Sequence, residues 1–123
     1  MNDSKSTKEV IQRYYDAISH KGDWSSAIAD KITFTGPGQI TYTKNEYVEA
    51  TAKFLEIVAS LKINEFIVEG NKACVTVEYH LQSPSGKTSS CEIAEVLLVQ
   101  DNKIYSSCIF YDTASFRIFI AQG

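Results

Sequence analysis

The second half of the chain has the sequence pattern of a run of β-strands. From Lys62 onward, apolar and polar residues alternate with a period of two, and short turn signals at 69–71, 83–86 and 101–102 interrupt the alternation. Because such short connections join neighbouring strands of opposite direction, we predict four antiparallel strands. They run over residues 62–68, 72–82, 87–100 and 103–111.

The first half of the chain has the pattern of two amphipathic helices. Ser6 and Glu9 fit a capping box at the start of the first, and Thr43 and Glu46 fit one at the start of the second. Apolar residues then recur at helical spacing in both segments. The first stripe is Val10, Ile11, Tyr14, Ala17 and Ile18, and the second is Tyr47, Ala50, Thr51, Phe54, Leu55, Val58 and Leu61.

Shorter elements lie between these helices and after the strands. Asp23 can cap a short helix over 24–29, and residues 32–35 alternate like a short strand that ends at Gly36-Pro37-Gly38. The tail over 113–123 is apolar enough to pack, either on its own chain or on a partner.

Composition limits the classes of protein that this chain can represent. With 123 residues, of which 44% are hydrophobic, we predict one domain over residues 1–123. A net charge of −3 with scattered lysines and arginines excludes a basic patch, so we predict no nucleic-acid partner. No apolar stretch approaches the roughly 20 residues that span a bilayer, and the three cysteines lack paired spacing. We therefore predict a cytoplasmic protein with no membrane partner and reduced thiols.

The strand over 87–100 is apolar on both faces, unlike the strand over 72–82. In the latter, Ala73, Val75, Val77, Tyr79 and Leu81 form one apolar face against a polar one. A strand that is apolar on both sides indicates that the outer face of the sheet is also covered. Since no further helix is predicted, we expect the cover to be a second copy of the chain, in a homodimer through the sheet face.

Four short segments resemble the NTF2-like (SnoaL-like) superfamily, and they occur in the element order of that superfamily. They are Val10 to Tyr15 with Gly22-Asp23-Trp24, Val75 to Tyr79, Glu95 to Val99 before Lys103-Ile104, and Phe110 to Ala114. The resemblance implies an α+β fold in which a cone-shaped, curved antiparallel sheet wraps around a long helix, with helices at the N-terminus. It further implies dimers through the sheet and an apolar pocket for a small organic ligand. It does not imply one reaction, because the superfold hosts isomerases, cyclases, dehydratases, epoxide hydrolases and non-catalytic binding domains.

Asp112, Glu95 and Tyr14 are the candidate catalytic residues. Asp112 follows two aromatic residues, and strand alternation places it on the same side as Ile104, Cys108 and Phe110. If that side faces the pocket, an apolar environment raises the pKa of Asp112 and makes it a candidate acid or base. The other interpretation is that Asp112 closes the last strand by capping backbone amides.

Comparison with two activities of the superfamily disfavours both. Tyr14 matches the first-helix Tyr of ketosteroid isomerases and Glu95 falls near their protonated acid, but the base falls at Thr35 or Gly36, which cannot accept a proton. Limonene epoxide hydrolases need an arginine that is absent at the matching position. Polyketide cyclase-like chemistry needs mainly one acid against an apolar substrate, so it stays open. For Glu95 the alternative is a buried carboxylate satisfied by a Tyr or Ser hydroxyl.

The remaining candidates are side chains expected to line the pocket, or else to be core. They are Trp24, Phe34, Tyr47, Phe54, Tyr79, Cys108 and Phe110. His80 shares the polar face of its strand with Glu78, so we expect it on the outer surface or the dimer contact. His20 and His80 offer no metal-ligand spacing, and we predict neither a metal nor a cofactor.

Overall fold

The computed structural model describes residues 3–122, so both ends of the predicted 1–123 domain lie outside the described residues. It has three α-helices, one 3₁₀ turn and six strands. In chain order they are α1 (Ser4–Ser19), the 3₁₀ turn (Ser25–Ala27), β1 (Ile28–Gly36), β2 (Gln39–Thr43), α2 (Lys44–Leu55), β3 (Val58–Glu69), β4 (Lys72–Gln82), β5 (Thr88–Gln100), β6 (Lys103–Phe110) and α3 (Thr113–Ala121).

The six strands form one curved sheet in the order β2-β1-β6-β5-β4-β3. The predicted antiparallel run from β3 to β6 is confirmed. β1 pairs in parallel with β6, so the sheet is mixed rather than wholly antiparallel. The tight turn between β5 and β6 has positive φ at both Asp101 and Asn102, as a two-residue hairpin of matching twist requires.

Helix α1 lies on the inner face of the sheet and buries the predicted stripe, including Val10, Ile11 and Tyr14. Its N-cap is Asp3, whose carboxylate accepts a hydrogen bond from the Ser6 amide at 2.8 Å. The predicted start at Ser6 is therefore wrong, because an earlier capping residue begins the helix one turn sooner.

Helix α2 begins at the predicted capping box of Thr43 and Glu46 but ends earlier than predicted, at Leu55. Val58 and Leu61 belong to β3 instead. Residues at these spacings suit a helical stripe and an alternating strand equally well, and pairing with β4 decides between the two. β2, which was not predicted, pairs with the end of β1 and leads into this helix.

A β-bulge in β6 reverses which of its side chains face inward. Val99 of β5 pairs with Ile104, but the next residue, Leu98, pairs with Ser106, so Tyr105 is an extra residue. Ile104 faces inward, and after the bulge the inward position passes to Ser107, which is buried. A one-residue shift moves every following side chain to the other face.

The outer face of the sheet carries a row of residues that crosses all six strands and is apolar except at Thr35. Its large members at the two edges, Ile67 and Ile40, are 61% and 57% exposed, and Phe110 beside it is 57% exposed. The row consists of Ile67, Cys74, Val96, Cys108, Thr35 and Ile40. Within residues 3–122, no helix is both long and apolar enough to cross a membrane.

Candidate functional site

A cavity of about 710 Å³ lies between the inner sheet face and helices α2 and α3. Its walls are mainly aliphatic and aromatic, with a few polar groups, as in most small-molecule sites. The α3 wall is held by aromatic contacts, since Phe116 packs against Phe54 and Tyr111. The lining includes Tyr14, Ile18, Phe34, Gln39, Tyr47, Thr51, Phe54, Tyr79, Ile93, Glu95, Ile109, Tyr111, Phe116 and Ile120.

Glu95 is the buried carboxyl group of this cavity, with 5% of its surface exposed. Each of its oxygens accepts one hydrogen bond: the Tyr15 hydroxyl donates to Oε1, and the Ser107 hydroxyl donates to Oε2 at 2.5 Å. Burial raises the pKa of Glu95, because the charged form loses water, and the hydrogen bonds from Ser107 and Tyr15 offset part of that increase.

A pair of tyrosine hydroxyls stands beside this carboxyl group. The hydroxyl oxygens of Tyr14 on α1 and Tyr47 on α2 are 2.5 Å apart. Burial is the main reason that the pKa of each lies above its ordinary value, and nearby Glu95 contributes. Both phenols therefore stay protonated at neutral pH, and only one of their two protons is used within the pair. The other proton is not used within the pair, and the hydroxyls of Thr51 and Ser107 also lie close to that of Tyr47.

Three elements bring these groups together. Tyr14 and Tyr15 are adjacent on α1, with rings packed edge to face at 5.1 Å, and both point toward the sheet. Glu95 lies on the inner face of β5 opposite Ile109 of β6. Ser107 reaches Glu95 because the bulge in β6 turns it inward. The arrangement can hold a proton on a carboxyl group and donate a hydrogen bond to an oxygen atom nearby.

Comparison with known protein families decides the membership of this chain. Residues 11–107, most of the chain, match the family model of the SnoaL-like domain. The chain belongs to the SnoaL-like family. The resemblance seen in the sequence is thereby confirmed, and this SnoaL-like domain includes Tyr14, Glu95 and Ser107 within the matched residues. No curated protein matches the chain in sequence.

Solved structures confirm the NTF2-like fold. An NTF2-like protein of unknown function from Burkholderia pseudomallei has 15% identity and a TM-score of 0.80, with 94% of this chain and 97% of that chain covered. A candidate SnoaL-like polyketide cyclase from Jannaschia sp. has 14% identity and a TM-score of 0.81, covering 93% and 90%. The protein TerC, co-crystallised with polyporic acid, has 17% identity and a TM-score of 0.80, covering 94% and 98%. At these identities the likeness shows the fold alone.

Asp112 does not lie where strand alternation predicted. It is exposed and serves as the N-cap of α3, accepting hydrogen bonds from the amides of Ala114 and Ser115 at 3.0 and 3.2 Å. These bonds, with that of the Ser115 hydroxyl, lower the pKa of Asp112. The prediction of an inward acid with a raised pKa is wrong. The bulge moves the following side chains of β6 to the opposite face, and β6 ends at Phe110, before Asp112. The capping interpretation of Asp112 describes its geometry.

The predicted wall residues divide between the cavity and other places. The structure brings Phe34, Tyr47, Phe54 and Tyr79 to the cavity, together with the candidates Tyr14 and Glu95. Cys108 and Phe110 lie on the outer sheet face instead, because the bulge precedes them. Trp24 packs edge to face on Tyr14, with ring centroids 6.4 Å apart, and is a core contact rather than a wall residue.

Sequence reasoning missed two members of the site, Tyr15 and Ser107. Tyr15 is buried on the same helix face as Tyr14, and helical spacing alone could have indicated this position. Ser107 had no such signal, because its inward position depends on the bulge.

The histidine of β4 lies away from the cavity. Nε2 of His80 is 3.3 Å from a carboxylate oxygen of Glu78, and both side chains are partly exposed on the outer face of β4, as predicted. Within residues 3–122, no three His, Cys, Asp or Glu side chains are grouped to hold a metal ion.

Proposed function

We propose that this SnoaL-like domain binds a small organic molecule in the cavity and carries out acid–base chemistry on it, with Glu95 as the group that exchanges the proton. The observation that carries the proposal is a buried carboxyl group at the wall of an apolar cavity. Burial raises its pKa, which makes the ionised form a stronger base and the protonated form an acid available closer to neutral pH.

The Tyr14–Tyr47 pair supplies the second part of the chemistry. When Glu95 removes a proton from a carbon next to a carbonyl group, the electron pair moves onto the carbonyl oxygen. The free proton of the tyrosine pair donates a hydrogen bond to that oxygen as it gains charge. Glu95 then returns the proton, so that the bound molecule is rearranged or exchanges a hydrogen with water.

Two relatives in fold support this class of reaction. One is the candidate SnoaL-like polyketide cyclase described above. The other is a candidate ketosteroid isomerase from Kribbella flavida, with 16% identity and a TM-score of 0.74, covering 91% of this chain and 82% of that chain. We do not infer ketosteroid isomerisation itself, since Thr35 and Gly36 stand where that reaction needs its base.

Hydrogen exchange on a model ketone tests the proposal. We expect the protein to accelerate deuterium incorporation at the methyl group of 2-acetylnaphthalene in D₂O, followed by proton NMR. Glu95→Gln keeps the shape of the side chain but cannot exchange the proton, so it should lower the rate by about a hundredfold or more. Glu92→Gln, exposed on the opposite face of β5, is the matched control. Equal rates for wild type and Glu95→Gln would contradict the assignment.

A non-catalytic binding domain is the alternative function, and one observation favours it. Both oxygens of Glu95 already accept a hydrogen bond, from Tyr15 and Ser107, so the carboxyl group can be wholly structural. Asp112, as a helix cap, is structural as well. In this alternative 2-acetylnaphthalene binds, and exchange is no faster than in buffer.

We further propose that two copies of the chain associate through the outer sheet face. The row is apolar in five of the six strands, and Ile67 and Ile40 on it and Phe110 beside it expose more than half of their surface. Monomeric proteins rarely leave a large contiguous apolar patch in water. A second copy of the same face is a self-complementary cover in a two-fold symmetric dimer.

A further inference from the structure

The charge of the groups around the cavity restricts the charge of its ligand. Four carboxylate side chains line it, at Glu46, Glu49, Glu56 and Glu95, against one cationic side chain, Lys53. Lys53 follows Glu49 by four positions on α2 and precedes Glu56, the C-cap of that helix, by three, so its charge is offset by close carboxylates. Among the described residues, neither an arginine nor a histidine lines the cavity.

An anionic ligand would therefore enter without a partner of opposite charge. The interior offers only neutral donors, mainly tyrosine hydroxyls, and a carboxylate placed there loses its water. It also approaches Glu95, whose own ionised form is already disfavoured by burial. Both effects act against anions and neither acts against a neutral molecule of the same shape.

Tyr79 adds a second and independent observation. Its side chain lines the cavity and is only 6% exposed, and its ring packs edge to face on Phe54 at 5.2 Å. Tyr15 and the Tyr14–Tyr47 pair have hydrogen-bond partners, but the Tyr79 hydroxyl has none within the described chain. The Tyr79 hydroxyl is not among the fully enclosed polar atoms that lack a partner, so it is open to the cavity, where its proton can be donated to an acceptor on a bound ligand.

We propose that the cavity selects uncharged ligands that present a hydrogen-bond acceptor, such as a carbonyl oxygen, to Tyr79, and that it rejects their carboxylate analogues. This inference rests on the proposed function, since it assumes that the cavity is a ligand site. The inference goes beyond the proposed function by naming the charge of the ligand and the residue that donates a hydrogen bond to its acceptor.

Three probes of one skeleton test the inference, with dissociation constants measured by equilibrium dialysis at pH 7. The ketone 2-acetylnaphthalene is neutral with an acceptor, 2-ethylnaphthalene is neutral without one, and 2-naphthoate is an anion. In wild-type protein the ketone should bind at least tenfold more tightly than the anion and at least threefold more tightly than the hydrocarbon. A 2-naphthoate affinity equal to that of the ketone would overturn the charge selection.

Variants separate the two parts of the inference. Tyr79→Phe should reduce the preference for the ketone over the hydrocarbon, while binding of 2-ethylnaphthalene shows that the variant is folded. Tyr42→Phe, at an exposed tyrosine outside the cavity, is the control. Glu49→Lys should raise 2-naphthoate affinity at least threefold, whereas Glu65→Lys, exposed on β3, should not.

The outcomes distinguish this inference from the proposed function. If Tyr79→Phe keeps the full preference for the ketone, the role of Tyr79 is overturned while ligand binding stands. If Glu49→Lys and Glu65→Lys change 2-naphthoate affinity equally, the role of the cavity rim is overturned. If none of the three probes binds to the wild-type protein, the proposed function fails, and the inference fails with it.

Discussion

The hydroxyl oxygens of Tyr14 and Tyr47 lie 2.5 Å apart, although 33 positions separate the two residues in sequence. This hydrogen bond links α1 to α2 at the wall of the cavity. Neither helix alone could specify it, because its two partners lie on different helices.

A double-mutant cycle tests this hydrogen bond. We expect Tyr14→Phe and Tyr47→Phe each to lower the free energy of unfolding, because each leaves a buried hydroxyl unpaired. The coupling energy between the two should be about 0.5–1.5 kcal/mol by urea denaturation. Tyr42→Phe, at an exposed position, is the control. Additive losses would show that the two hydroxyls do not interact.

The bulge at Tyr105 predicts opposite tolerance at neighbouring positions. Ile109 lines the cavity, so Ile109→Lys should lower the free energy of unfolding by at least about 2 kcal/mol, because it buries a charge. Phe110 faces outward, so Phe110→Lys should lower the free energy of unfolding far less. A larger loss of unfolding free energy for Phe110→Lys than for Ile109→Lys would contradict the bulge and indicate that β6 alternates without it.

Asp112 should matter for stability and little for the chemistry. Asp112→Ala removes the α3 cap and should lower the melting temperature at pH 7. Asp112→Asn can still cap the helix and should lower the melting temperature much less. Hydrogen bonds from Ser115 and Ala114 hold the pKa of Asp112 below 3.8. The difference between wild type and Asp112→Ala should therefore be full above pH 3.8 and disappear as pH falls through the lowered pKa. Loss of deuterium exchange in Asp112→Asn would return Asp112 to a catalytic role.

The outer face should associate in solution. Sedimentation at micromolar concentration should give a dimer for the wild type and a folded monomer for Phe110→Lys, because the lysine places a charge in each copy of the apolar face. Glu65→Gln on the same side of the sheet is a mild control. A wild-type monomer at this concentration would contradict the proposed dimer.

Alternation and turn chemistry were enough to predict β3 to β6 and much of the inner face. The alternation of its strand indicated that Tyr79 faces inward, and the family resemblance singled out Glu95; both are buried. Asp101 and Asn102 specified their turn locally, since both tolerate positive φ. Such features depend on neighbouring residues, and a sequence records them directly.

The errors share a cause, which is dependence on distant pairing. The bulge at Tyr105 needs no special residue and follows from the match of β6 to β5, yet it moved Ser107 inward and Cys108 outward. The end of α2 at Leu55 depends on β3 pairing with β4. The parallel contact of β1 with β6 pairs distant residues such as Ile28 with Ile104 and Thr35 with Cys108, and local patterns do not indicate it.

The raised pKa of Glu95 has a consequence for stability. A carboxyl group whose pKa is higher in the folded than in the unfolded state favours folding most at low pH, and this contribution is lost as pH rises through the folded pKa. From pH 4.5 upward, the free energy of unfolding of the wild type should therefore fall relative to that of Glu95→Gln. Glu92→Gln, exposed on the same strand, is the matched control for this comparison.

The most direct measurement is the carbon-13 NMR titration of the Glu95 side-chain carboxyl group, assigned by its absence in Glu95→Gln. A group that exchanges protons from a buried site should titrate with a pKa above its ordinary value of 4.5. We expect that raised midpoint. A midpoint at or below 4.5 would contradict it, because Glu95 would then be an ordinary carboxylate stabilised by the Tyr15 and Ser107 hydrogen bonds.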